Sequence, residues 1–132
     1  MTMTAERTSI TLQIPAGMVG FPEVTEYSLS EIEHGVYEML SVDDPQFGFV
    51  VIQPEPYFPD YDPMIDRTTA DRLSLNTADD AVLLLVVNIG LDGEPPVANL
   101  LAPVIVNKST HTATQVVLAD QEWPLRGTIP LG

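Results

Sequence analysis

Asp60-x-Asp62-x-x-x-Asp66 is the stretch of this chain closest to a metal-binding motif, because alternate carboxylates are how calcium loops gather oxygen ligands. The glycine that turns such a loop and the distal glutamate that closes it are both missing, so no metal site is expected there. His34 and His111 are the only histidines, and neither has a second imidazole nearby in sequence; solvated turn positions account for both. The chain has no cysteine, which removes disulfides, thiolate metal sites and thiol nucleophiles together. No serine lies in a nucleophile-elbow pattern. Gly17-Met18-Val19-Gly20-Phe21-Pro22 is glycine-rich but lacks the Lys-Ser/Thr ending and the following helix of a phosphate loop. The residues therefore point away from an enzyme and from any resident cofactor.

Charge and exposed rings are the remaining chemistry. Against 5 Lys+Arg stand 19 Asp+Glu, a formal net charge of −14. Neutralising a phosphate backbone needs cations that this chain lacks, so direct nucleic-acid binding is not expected. A basic protein partner suits such a field, since complementary potentials steer encounter and select partners; the plainer effect of the acidity is solubility. Between Arg7 and Arg67 there is no Lys or Arg, while acids stand at Glu23, Glu26, Glu31, Glu33, Glu38, Asp43, Asp44, Glu55, Asp60, Asp62 and Asp66. That gives the folded protein an anionic side unless the fold scatters the segment.

Within it, Pro54-Glu55-Pro56-Tyr57-Phe58-Pro59-Asp60-Tyr61-Asp62-Pro63 alternates prolines with rings and acids. Prolines hold such a segment extended and out of a central ladder, and long irregular loops are often functional. Tyr57, Phe58 and Tyr61 offer apolar anchors at low entropic cost, and Glu55, Asp60 and Asp62 offer steering charge. These six are the expected partner contacts. If the rings project outward, Tyr61→Ala weakens partner binding and leaves the melting temperature nearly unchanged; the opposing reading folds the rings back onto the core.

The elements that must carry this loop are strands. Ile10, Leu12 and Ile14 alternate with polar residues until Pro15, the period of a half-buried strand. The Gly17–Pro22 loop follows, with Gly17 and Gly20 free to take positive φ and Phe21 available to dock on the core. Tyr27-Ser28-Leu29 reads as a short strand and residues 31–35 as a turn. Val36 to Val42 and Phe47 to Gln53 form a hairpin through Asp43-Asp44-Pro45-Gln46, with apolar residues on both faces. Residues 65–75 are ambiguous between a short helix capped by Thr68 or Thr69 and a strand ending at Leu75. Ala81 to Ile89 is a continuous apolar run of the central-strand kind, and Leu91-Asp92-Gly93-Glu94-Pro95-Pro96 is its hairpin connection to the next segment.

That next segment, Val97 to Asn107, is the scaffold around which the chain is arranged. Its β-branched Val104-Ile105-Val106 suits a pleated surface, and Pro103, lacking an N–H, demands an edge, bend or bulge. Asn88, Asn99 and Asn107 sit beside apolar strands, where an unpaired amide is costly; their side chains are expected to bond to backbone groups freed by the bends. Residues 114–118 return as a strand, and Trp123, Leu125 and Ile129 anchor the tail. With 132 residues, about eight strands, short turns and at most one small helix, the fold class is all-β: an antiparallel barrel or sandwich-like single domain over 1–132, ordered from about 8 to 130. No apolar run reaches membrane-spanning length and no signal core is present, so no membrane association is expected and the cytoplasm is the default location.

Read in order, these fragments resemble the flagellar assembly factor FliW family. Gly17-Met18-Val19-Gly20-Phe21 resembles its G-x-x-G-F loop, and Leu40-Ser41-x-Asp43-Asp44-Pro45 its leucine-serine hairpin opening. Phe49-Val50-Val51, Pro54 and Pro59-Asp60-Tyr61 resemble its F-V-V…P…P-D-Y block. Asn99-Leu100-x-Ala102-Pro103-x-x-x-Asn107 followed by Gln115-Val116 is the most specific part, while Trp123 stands near an expected tyrosine. The resemblance implies a β-barrel-like cytoplasmic protein that binds flagellin and the RNA-binding translational regulator CsrA, relieving repression of flagellin translation until free flagellin titrates it away. On this reading Gly17, Gly20, Phe21, Asn99, Leu100, Pro103 and Asn107 hold the scaffold. The competing expectation is a small all-β ligand-binding or enzymatic domain with a carboxylate-lined pocket, for instance one that seats a sugar on Tyr57 and Trp123.

Overall fold

A computed structural model describes residues 9–89 and 93–129 of the chain. The alternating segments become antiparallel strands: β1 (Ser9–Gln13), β2 (Glu26–Glu33), β3 (Val36–Ser41) and β4 (Gly48–Ile52), each paired with the one before. After the proline loop comes the helix α1 (Arg67–Arg72), then a 3-10 turn at Ala78–Asp80 that leads into β5 (Ala81–Asn88). The scaffold segment forms β6 (Val97–Ala98) and β7 (Val104–Asn107), followed by β8 (Ala113–Gln115) and β9 (Gly127–Thr128). Leu91 and Asp92 of the expected hairpin connection, and Arg7, lie outside the described residues.

β5 divides the sheet. Its second half pairs with β4 on one side and β6 on the other, while its first half pairs with β7, which in turn pairs with β8. Residues 99–103, between Ala98 and Val104, therefore face only Leu85 and Val86 across the ladder. Pro103 sits at the end of this outward excursion, and Asn99 Oδ1 closes it by accepting the N–H groups of Leu101 and Ala102, each at 3.0 Å. An Asx turn of this kind replaces the ladder bonds that the excursion gives up.

The barrel half of the fold expectation is corrected. The strands run β1-β2-β3-β4-β5-β6-β9, with β7 and β8 branching from β5, and the sheet stays open. β1 approaches the β7–β8 hairpin through one isolated bridge, Gln13 to Thr112, with Gln13 N–H bonded to the His111 carbonyl at 2.9 Å. A closed barrel needs a full ladder at that seam. The sandwich-like all-β reading stands.

Two apolar layers cover the sheet. On one face the register aligns Ile10, Leu29, Met39 and Phe49, and beside them Leu12 and Tyr27, with Leu84, Val104, Val106 and Ala113 completing a single buried cluster. On the other face a smaller cluster of Ile52, Leu85, Ala98, Leu100 and Ile129 lies under the proline loop and the tail. The β4–β5 region carries apolar residues on both sides, and all four residues of β7 are buried.

Several local expectations shift. β2 extends to Glu33 with a bulge between Glu31 and Glu33, so the turn is confined to His34-Gly35. The cap of α1 is Asp66, whose Oδ1 accepts the Thr69 N–H at 2.8 Å, rather than either threonine. β8 stops at Gln115, after which Val116 and Leu118 donate to the carbonyls of Pro103 and Leu101 in the excursion. In the tail, Ile129 is buried and Trp123 half-buried, whereas Leu125 is 57% exposed. Asn88 is exposed, so it bears no burial cost.

Tyr27 is fully buried, and its hydroxyl has no hydrogen-bond partner among the described residues. An orphaned buried hydroxyl costs about 1–3 kcal/mol. Tyr27→Phe should accordingly raise stability by about 1 kcal/mol, read as a higher urea midpoint at unchanged m-value; a loss of stability would mean that the hydroxyl is satisfied.

Candidate functional site

The proline loop begins where β4 ends. Gln53 N–H turns back to the Gly35 carbonyl, and the Pro54 carbonyl then accepts from both Tyr57 and Phe58, curling the loop instead of extending it. A further turn from Phe58 to Tyr61 brings the Tyr61 ring over the second cluster. There its hydroxyl donates to the Leu100 carbonyl at 2.7 Å, and its ring meets Trp123 edge-on at 4.7 Å and 74°. Burial pushes the Tyr61 phenol pKa up. Tyr57 and Phe58 are half-buried against the same cluster. The rings thus face inward while Glu55, Asp60 and Asp62 are exposed. Of the six expected contacts, the structure brings the three carboxylates to solvent and uses the three rings as packing; the picture of a freely projecting Tyr61 is corrected, because Leu100 and Trp123 hold it.

One residue that the sequence did not single out fixes the far side of this loop. Gln121 accepts from Met64 N–H at 2.9 Å and from the Trp123 indole N–H at 3.1 Å, and its own amide donates to the Met64 carbonyl at 2.9 Å. No local pattern marks a glutamine for that role, since its partner lies 57 residues away. Trp123 is engaged by Tyr61 and Gln121 together, so neither it nor half-buried Tyr57 forms a free platform for a sugar.

The scaffold residues fall at the joints. Asn107 is buried; its amide donates to the Leu73 carbonyl at 2.7 Å and its oxygen accepts from Ser109 and Thr110. Leu100 is buried, gives its carbonyl to Tyr61 and donates its N–H to Pro124. Gly17 takes a φ of 70°, and a Cβ there would run into the Phe21 carbonyl and the Pro22 backbone, so only glycine fits that turn. Gly20 also has positive φ, at 89°, in open space. Phe21 is 42% exposed and tilts against Phe47 at 4.8 Å, at the rim of the larger cluster.

The fold does not scatter the cation-free segment. Because β1 to β4 are neighbours in both sequence and sheet, the acids between residues 23 and 66 stay together on that half and on the adjoining loop. All are exposed except Glu38, which is half-buried. Arg67 and Arg72 lie on α1 and Arg126 precedes β9, away from β1–β3 in the strand order, while Lys108 lies in the turn after β7 whose other end, His111, is bonded to Gln13 of β1. Asp66, at the end of that segment, and Asp80, beyond it, have structural tasks. The Thr69 N–H, and then its hydroxyl, hold the Asp66 carboxyl below its ordinary range, with Arg72 adding to the effect. The N–H groups of Thr77 and Asn76, with Lys108 beside them, do the same for Asp80. Asp66 of the calcium-like triplet is thus a helix cap.

Between the proline loop, α1 and the first half of β5 runs an open cleft of about 660 Å³. Pro54, Tyr61, Pro63 and Leu75 supply apolar wall, and among the described residues Glu55 and Asp62 are its only charged lining. No described helix is long and apolar enough to cross a membrane.

The chain is similar to known proteins. The family model described as FliW protein matches residues 1–129. The "Flagellar assembly factor FliW" of Treponema pallidum (strain Nichols) is 32% identical over 123 residues, covering 92% of this chain and 81% of its own length. That of Syntrophus aciditrophicus (strain SB) is 33% identical over 112 residues, covering 83% and 71%. A crystal structure of the flagellar assembly factor FliW superposes with a TM-score of 0.85 at 27% identity, covering 92% of this chain and 86% of the other.

Proposed function

This chain belongs to the FliW family of flagellar assembly factors, and from that premise we propose that it works in the cytoplasm by capturing two proteins, flagellin and a CsrA-type translational regulator, on its acidic surface. The observation that carries the reading is the segregation of charge: residues 8–66 hold no Lys or Arg, and their exposed acids stand on β2, in the β3–β4 turn and in the loops, among strands that are neighbours in the sheet. A body of this charge, docked next to a basic RNA site, raises the energy of an approaching phosphate backbone without filling the site. Release of repression then follows from electrostatic antagonism, and flagellin, by occupying the factor, restores repression.

The test is the RNA affinity of the regulator, measured with and without this protein across a salt series. The screening length shortens from about 10 Å at 0.1 M to about 3 Å at 1 M salt, so the antagonism should shrink as salt rises, by roughly tenfold or more for several interacting charges. Replacing Glu26, Glu31 and Glu33 with Gln, all exposed, should weaken it at low salt and leave the melting temperature almost unchanged. Antagonism that ignores both salt and these substitutions would rule the electrostatic mechanism out.

A further inference from the structure

The first half of β5 has a strand on one side only. On that side Ala81 to Leu84 pair with β7. On the other, β4 pairs with β5 only from Leu85 onward, and no further strand lies there among the described residues. The Val86 carbonyl accepts from Asn99, which places the Val86 backbone toward β6. Backbone groups alternate in direction along a strand, so Ala81 and Leu83 turn their N–H and C=O groups the opposite way, toward the cleft. β4 cannot extend to meet them. Gln53 is already bonded to Gly35, and Pro54, at the next position, has no N–H to give.

The cleft described above runs along this free edge, with Ala81, Val82 and Leu83 in its wall. A strand edge beside an apolar groove is the template that extended peptides use when they add to a sheet: the main chain supplies affinity and alternate side chains enter the groove. We infer that an extended segment of a partner protein, carrying Lys or Arg beside apolar residues, adds to this edge at Ala81–Leu84. The basic character follows from complementarity, because Glu55 and Asp62 line the groove and, among the described residues, no cation does. A seat of four residues spans about 13 Å at roughly 3.3 Å per residue. The inference rests on the reading that this domain captures proteins, and names the geometry by which it does so.

The probe is a short acetylated and amidated peptide of alternating Val and Lys, added at millimolar concentration to the isotope-labelled protein and followed by amide NMR and hydrogen exchange. Ala81 and Leu83 N–H should shift, and their exchange should slow at least tenfold. The same peptide N-methylated at alternate residues, which deletes one set of main-chain donors, should bind at least tenfold more weakly in one of its two registers. Replacing Lys with Glu should abolish binding. Shifts confined to β1–β3 with exchange at Ala81 and Leu83 unchanged would overturn the inference while leaving partner capture by charge intact. Absence of binding, equal binding of both N-methylated registers, or equal binding of the acidic peptide would overturn it too. Failure of flagellin and the regulator to bind the intact protein would instead strike at capture itself.

Discussion

Asn107→Ala should destabilise the domain by about 3 kcal/mol, the larger of the two effects expected from single substitutions. The side chain is 3% exposed and joins three segments. Its amide reaches the Leu73 carbonyl, at the end of α1, and its oxygen takes the N–H groups of Ser109 and Thr110 in the turn after β7. Truncation leaves a buried carbonyl and two N–H groups to find other partners, and each buried group left unpaired costs about 1–3 kcal/mol; solvent reaching the exposed Ser109 and Thr110 keeps the total below the simple sum. Asn107→Asp should be at least as damaging at neutral pH, since a carboxylate would then confront the Leu73 carbonyl. Urea unfolding reads both. A loss under about 1 kcal/mol for Asn107→Ala would mean that the turn and the helix end are held by something else.

Tyr61→Ala should cost about 2–3 kcal/mol, against the near-zero effect expected of a projecting ring. A fully buried aromatic truncation costs about 3–5 kcal/mol, and half-burial places Tyr61 below that range. Tyr61→Phe isolates the hydroxyl: it keeps the packing on Trp123, removes the bond to Leu100, and should cost about 1 kcal/mol. Thermal melts of the two variants separate packing from hydrogen bonding. Amide exchange across residues 57–64 should rise in Tyr61→Ala and change little in Tyr61→Phe. If Tyr61→Ala melts like the parent protein, the proline loop is held by its backbone turns alone.

Such contrasts show how far the residues speak for themselves. The β3–β4 hairpin was legible because Asp43-Asp44-Pro45-Gln46 is turn chemistry between two apolar runs. β5 was legible because eight nearly apolar residues in a row fit a strand covered on both faces. Pro103 announced an interruption, and the excursion at 99–103 is what such an interruption becomes when a neighbouring Asn can close it. The direction of the loop rings was not legible, because it is decided by Leu100, Gln121 and Trp123, far along the chain. Nor was the open seam: alternation assigns residues to faces but does not say whether the first and last strands meet. The Asp66 cap stands three residues before Thr69, as a capping residue must, but its spacing from Asp60 and Asp62 equally resembles a metal loop.

The main chain of Leu100 has a broader consequence. Its carbonyl holds the proline loop through Tyr61, and its N–H holds the tail through Pro124. Two surface segments far apart in sequence therefore hang from one hinge pin. Freeing either segment removes one of the two main-chain bonds that fix Leu100 between them.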